Sequence, residues 1–119
     1  MHEITVSKEV VGNVIDKDCV IVDYIIDTGG TIIGAVKSLR AAGARSVTVV
    51  ATHALLNGNA SQDLANCGAR EVIVTNTVPV PEEKRFKNLT VLSIAPVLAK
   101  AMKAVFEHNS VAGIFEEGA

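Results

Sequence analysis

Four short apolar runs, separated by stretches of helical or turn character, decide most of what this chain can fold into. Cys19-Val20-Ile21-Val22 is continuous, too short for a helix, and ends at Asp23. A run of that kind reads as a buried strand. Ser46 to Ala51 and Glu71 to Thr75 are two more, rich in β-branched residues, and Thr90 to Ser93 is a shorter fourth. Between the first two, Thr31 to Ala42 puts Ile32, Ala35, Val36 and Leu39 on one helical face with Lys37 and Arg40 off it, and Gly43 supplies a stop. A short helix is expected within Asn59 to Asn66, closed by Cys67-Gly68, and Pro79 and Pro81 break the chain after the third strand. A last helix opens at Ser93 or Ala95 with Pro96 in its first turn. It runs to about Glu107, with Val97, Leu98, Ala101, Met102 and Val105 expected inward. Strands alternating with helices require right-handed crossovers and a mainly parallel sheet. The expected architecture is α/β, three-layer α/β/α, in a single domain. Met1 to Asp18 leaves readings open: Ile4-Thr5-Val6 as a strand, Val10 to Ile15 as a loop or a turn of helix.

Composition narrows the class further. Apolar residues make up 49% of the 119 and aromatics only 3%, so the core must be Val, Ile, Leu and Ala. Eleven basic residues against 13 acidic ones leave a net charge of -2 and no basic patch for nucleic acid. No apolar run approaches the roughly 18 residues a membrane span needs, and Met1-His2-Glu3 lacks the character of a signal peptide. Cys19 and Cys67 make no metal-ligand spacing and read as buried free thiols, which suits a reducing cytoplasm. The expectation is a soluble cytoplasmic protein.

Chemistry concentrates in Val20-Ile21-Val22-Asp23-Tyr24-Ile25-Ile26-Asp27-Thr28-Gly29-Gly30-Thr31. In an open parallel sheet, ligands collect beyond the carboxyl ends of the strands. Asp23 is expected to end the first strand, and Asp27 through Thr31 lead into the following helix. Two adjacent glycines let backbone N–H groups approach an anion, and the helix start adds its dipole. The Thr28 and Thr31 hydroxyls add donors, while Asp23 offers a carboxylate to ribose hydroxyls or to Mg²⁺. The plainer alternative is a strand-to-helix turn with glycines for geometry. Neither a Gly-x-Gly-x-x-Gly pattern nor a P-loop lysine is present. His53 has two readings, as a ligand contact at the same edge or as a packing residue. Asn57-Gly58-Asn59 is a turn signal first, Glu82-Glu83-Lys84-Arg85 a solvated face, and His2 and His108 have no evident partners.

The stretch from Val20 to Thr31 resembles the ribose-binding motif of type I phosphoribosyltransferases and PRPP synthetases. The chain from Val10 onward is similar to the synthetases in order and spacing. That likeness rests on Ala42 to Val47 with Ala51-Thr52-His53, on Ile73 to Pro79, on Leu92 to Ala99, and on Ser110-Val111 to Ile114-Phe115. It implies a phosphoribosyltransferase-like fold in which Asp27, Thr28, Gly29, Gly30 and Thr31 hold the 5-phosphate of ribose 5-phosphate. Asp23 would be the catalytic-site carboxylate binding the 2- and 3-hydroxyls with Mg²⁺. Ser110 and Phe115 would lie near a subunit interface that binds regulatory nucleotide. The family's reaction is attack of the ribose C1 hydroxyl on the β-phosphorus of ATP, giving PRPP and AMP. Three positions depart from the pattern: Tyr24 stands where a second aspartate is usual, Asn57-Gly58-Asn59-Ala60 where Ser-Gly-Pro-Ala is preferred, and Ala112 where a serine is.

The resemblance is to the C-terminal half of such an enzyme. The ATP-binding half and its Lys/Arg loop are not in these 119 residues, so the isolated chain is expected not to make PRPP. It would work as a homo-oligomer or with a chain supplying that half. Two other readings stand beside this one. Tyr24 favours a non-catalytic regulatory or scaffolding subunit, and the loop alone also fits a small phosphoribosyltransferase acting on PRPP and a base.

Overall fold

The computed structural model describes residues 12–107. Within them lie four strands, β1 (Asp18–Ile26), β2 (Ser46–Ala54), β3 (Glu71–Thr75) and β4 (Leu89–Leu92). Three α-helices, α1 (Gly30–Ala41), α2 (Ala60–Ala65) and α3 (Ala95–Phe106), and a 3₁₀ turn at Glu82–Lys84 connect or follow them. All three strand pairs are parallel, in the order β1-β2-β3-β4. The α/β class and its parallel sheet are therefore as the apolar runs imply. The readings for residues 1–11, for His108, and for Ser110 and Phe115 lie outside the described residues.

Alternation along β2 shows where the core sits. Val47, Val49 and Ala51 are buried on one side, joined by Val72 and Val74 of β3. Against them pack Ile32, Val36 and Leu39 of α1 and Leu64 of α2, in one continuous cluster that also holds Cys19 and Cys67 as free thiols. No aromatic side chain is fully buried among the described residues, and branched aliphatics of similar size fill the space. Helix α1 ends as its sequence dictates: Gly43 adopts φ +100°, its N–H bonds the Arg40 carbonyl, and the Ala44 N–H reaches back to Leu39.

The strands run further than the apolar runs alone suggest. β1 continues past Asp23 to Ile26, because Ile25 and Ile26 pair with His53 and Ala54 of an equally extended β2. Asp23 is thus within the strand, in register with Ala51, and does not end it. The opposite face of the sheet is bare among the described residues, where Val22 is 73% and Tyr24 79% exposed. Parallel sheets are ordinarily covered on both faces, and around Val22 and Tyr24 no described element covers this one. Most of the stripe on α3 expected to face inward is also exposed, from Val97 at 48% to Val105 at 61%, with Ala101 half-buried. The helix forms as its pattern requires, but no strand or helix described here closes over that stripe.

Candidate functional site

The loop between β1 and α1 gathers five of the expected residues at one edge of the sheet. After Ile26 the chain bends through Asp27 and Thr28, and Gly29 takes φ +81°, ψ 2° as the residue preceding the helix. A side chain at that φ is strained by roughly 1–2 kcal/mol, although a Cβ there would meet Ile33 Cδ1 at an ordinary 3.4 Å. Glycine is needed at 29 for its backbone. Gly30 is different: a Cβ built on it meets nothing within 4 Å, and its φ is ordinary. Among the described residues, nothing requires a glycine at 30.

Helix α1 starts without the groups that usually close a helix. It has no side-chain cap and no acidic residue in its first turn, although Ser, Thr, Asp or Asn normally serves there. Its first intrahelical bond is Ile33 N–H to the Gly29 carbonyl, at 2.8 Å. Among the described residues, no acceptor takes the N–H of Thr28, Gly29, Gly30, Thr31 or Ile32. The exposed hydroxyls of Thr28 and Thr31 are likewise unengaged there. Consecutive free N–H groups at the positive end of a helix dipole form an anion receptor.

The two aspartates sit differently. Asp23 is exposed, and its Oδ1 accepts the N–H of Tyr24 at 2.7 Å, leaving Oδ2 free of described partners. Asp27 is gripped from β2's side of the sheet. Asn57 N–H donates to the Asp27 carbonyl at 2.9 Å, and Asn57 Nδ2 donates to Asp27 Oδ1 at 2.7 Å. The Leu55 and Leu56 N–H groups both reach the Ile26 carbonyl, at 2.9 and 3.1 Å. Leu56 is buried to 1% exposure yet has φ +52°, which for a bulky residue costs of the order of 1–3 kcal/mol. Lys84 Nζ braces the same segment through the Leu55 carbonyl, at 2.9 Å. Asn57 and Lys84 carry no local signal beyond a turn and a charge run; they matter through partners 29 to 30 residues away.

His53 is half-buried at the end of β2. Its Nδ1 meets Thr77 Oγ1 at 2.7 Å, and Thr77 and Thr75 both donate to the Thr52 carbonyl, at 3.1 and 2.6 Å. Within the charge run, Glu82, Glu83 and Arg85 are solvated as expected, while Lys84 is half-buried.

A depression of about 860 Å³ lies elsewhere, over the amino ends of β3 and β4 beside Asn66, Arg70, Glu71, Lys87, Asn88 and Thr90. Some of its polar groups serve each other: Thr90 donates to the Glu71 carboxylate and Asn88 Nδ2 to the Ala69 carbonyl. The buried Asn88 Oδ1 has no partner among the described residues. Parallel α/β sheets gather ligands at the other end of the strands, where the free amides are. Beside the depression, Asp18 accepts from Arg45 Nε at 3.0 Å and Ser46 Oγ at 2.7 Å. Those hydrogen bonds hold its carboxyl well below the usual carboxylate range and raise the Arg45 guanidinium. No group of three or more His, Cys, Asp or Glu side chains converges among the described residues, and no described helix is long and apolar enough to cross a membrane.

Known proteins are similar to this chain. Over 111 residues the chain is 63% identical to a ribose-phosphate pyrophosphokinase of Bifidobacterium longum, covering 93% of this chain and 33% of that one. It is 59% identical to the ribose-phosphate pyrophosphokinase of Mycobacterium tuberculosis over 93% of its own length and 34% of the relative's. The chain thus spans about a third of the length of these curated relatives. The crystal structure of phosphoribosylpyrophosphate synthetase from Mycobacterium smegmatis superposes with a TM-score of 0.81 at 56% identity, over 89% of this chain and 36% of that one. The model of the phosphoribosyl synthetase-associated domain matches residues 4–116. With nearly its whole length matched, the chain belongs to the phosphoribosyl synthetase-associated domain family.

Proposed function

We propose that this chain is the ribose 5-phosphate-binding part of a ribose-phosphate diphosphokinase. The observation that carries the reading is the row of acceptor-less N–H groups from Thr28 to Ile32 at an uncapped helix start. The phosphate oxygens would take those amides and the Thr28 and Thr31 hydroxyls. Gly30, with no internal reason to lack a side chain, lets the phosphate reach the backbone. Asp23 would accept from the 2- and 3-hydroxyls through its free Oδ2, fixing the pentose relative to its phosphate.

Mg²⁺ fits this donor set, since it is commonly held by one or two carboxylates together with substrate oxygens, and Asp23 is the carboxylate available. Bound there, it would neutralise charge on the substrates. The chain's own contribution is positional: phosphate and pentose are anchored at two points, so the C1 hydroxyl has one orientation toward an incoming ATP. Fixed orientation and charge neutralisation account for most of the rate in pyrophosphoryl and phosphoryl transfer.

ATP would come to the site on another part of the assembly. The bare sheet face around Val22 and Tyr24, the exposed stripe of α3 and the threefold greater length of the relatives support a homo-oligomer or a second chain supplying the ATP-binding half. A reducing cytosol suits the two buried thiols. Calorimetric titration of the purified chain with ribose 5-phosphate should show binding at a single site, with ribose alone much weaker. AMP formation from ATP and ribose 5-phosphate should need the complementing part. Equal heats for ribose and ribose 5-phosphate would sink the reading.

Tyr24 supports a second reading, a regulatory subunit that binds the sugar phosphate without turnover. It puts an uncharged side chain next to Asp23 and is 79% exposed. If Tyr24→Asp leaves the activity of a complete complex unchanged, the regulatory reading gains; a rise in activity favours the catalytic one.

A further inference from the structure

We infer that Asn57 is a positioning residue for the phosphate loop, acting through Asp27, and that the strained backbone at Leu56 exists to deliver it. The inference rests on the ribose 5-phosphate reading of the loop and names what keeps that loop open.

Five free amides in a row are a poor resting state for a surface turn. Such a segment ordinarily rotates its N–H groups toward its own carbonyls or side chains, and the adjacent Asp27 carboxylate is the obvious internal acceptor. An aspartate readily accepts the N–H two residues further on in an Asx turn. Here Asp27 does not cap α1, because the helix has no side-chain cap hydrogen bond. Its Oδ1 is turned instead toward Asn57 Nδ2, at 2.7 Å, while the Asp27 carbonyl takes the Asn57 N–H at 2.9 Å. Two bonds from one residue to another, one main-chain and one side-chain, fix both the position and the rotation of Asp27. The carboxylate that would otherwise close the amide nest is drawn away from it.

The chain bears strain to place Asn57. Leu56 is fully buried and left-handed at φ +52°, the backbone geometry that turns the chain from the end of β2 back over Ile26 and Asp27. Ile26's carbonyl receives two N–H groups from this segment, and Lys84 Nζ holds it from behind through Leu55. Asn57 therefore approaches Asp27 from a braced base, and its side-chain bond closes at little further loss of freedom.

The chemistry of the pair makes the role specific. An amide donates to the Asp27 carboxylate, whereas a carboxylate of the same shape at position 57 would repel it. Asn57→Asp should therefore swing Asp27 toward the amides and fill the nest from inside. Asn57→Ser retains a hydroxyl donor at that place.

The test uses the full 119-residue chain, with titration by ribose 5-phosphate and amide NMR of Gly29 and Gly30. We expect Asn57→Asp to weaken ribose 5-phosphate binding at least tenfold, Asn57→Ala by a smaller factor, and Asn57→Ser to stay within about threefold of wild type. Melting temperatures should be similar throughout. In the ligand-free Asn57→Asp protein, the Gly29 and Gly30 amide resonances should already be shifted, while those of Asp18 and Arg45 stay in place. A purely structural role would instead lower the melting temperature in parallel with affinity and give no rescue by serine. Wild-type affinity in Asn57→Asp, or unmoved Gly29 and Gly30 resonances, overturns the inference and leaves the ribose 5-phosphate reading intact. A wild-type chain that does not bind ribose 5-phosphate overturns both.

Discussion

β1 has an aspartate at its start and another just past its end, and the two ends have opposite characters. At its start, Asp18 is saturated: Arg45 and Ser46 both donate to it, and every partner belongs to the same sheet edge. At its far end, Asp27 is held by Asn57, and the five amides beyond it meet no acceptor among the described residues. Both ends are polar and exposed, so composition cannot tell them apart. Satisfaction can. A polar cluster whose members bond one another contributes architecture, whereas donors held apart from available acceptors are arranged for something that arrives.

Breaking the open end should have the largest effect. Gly29→Ala forces a side chain into φ +81°, so we expect a loss of about 1–2 kcal/mol in unfolding free energy together with loss of ribose 5-phosphate binding. Chemical denaturation and calorimetry on the same sample read both. Gly30→Ala sharpens the contrast by separating the two readouts. Its methyl group enters empty space at the first turn of a helix, where Ala is a better former than Gly. Stability should hold or rise by a few tenths of a kcal/mol, while affinity falls by about tenfold, the worth of roughly one charged hydrogen bond. Equal affinity in Gly30→Ala would mean that nothing approaches the backbone there.

At the closed end the effects should be smaller and of the reverse kind. Asp18→Asn is expected to leave ribose 5-phosphate affinity unchanged and to lower the melting temperature slightly, with the difference shrinking at high salt, since Asp18 and Arg45 are both exposed. The smallest effect is in the pH profile. The Asp18 pKa is lowered on folding from its ordinary 3.8, so its stabilisation is fully present above that value and declines as pH falls below it. Wild type should therefore lose stability more steeply than Asp18→Asn on acidification below about pH 4, as followed by thermal melts across that range. Parallel profiles would remove Asp18 from the acid response.

How far each of these features is legible depends on the distance over which it is decided. The strands are readable because a run such as Cys19 to Val22 has no other stable fate, and Gly43 announces the end of α1. The extension of β1 through Ile26 is not readable, because it depends on β2 continuing beside it to Ala54. The stripe on α3 is amphipathic as its spacing requires, but it is not covered by any described element. Periodicity reports that a face is apolar, not that a partner lies within reach.

The sequence by itself determined most of the elements, their parallel pairing and the loop from Asp27 to Thr31, because helix period, strand propensity and the conformational range of adjacent glycines act within a few residues. Only the tertiary structure decided which end of the sheet was open. Whether an amide is free depends on every acceptor that folding brings near it. The acceptor that matters most, the Asp27 carboxylate, is drawn aside by Asn57, 30 residues further along the chain.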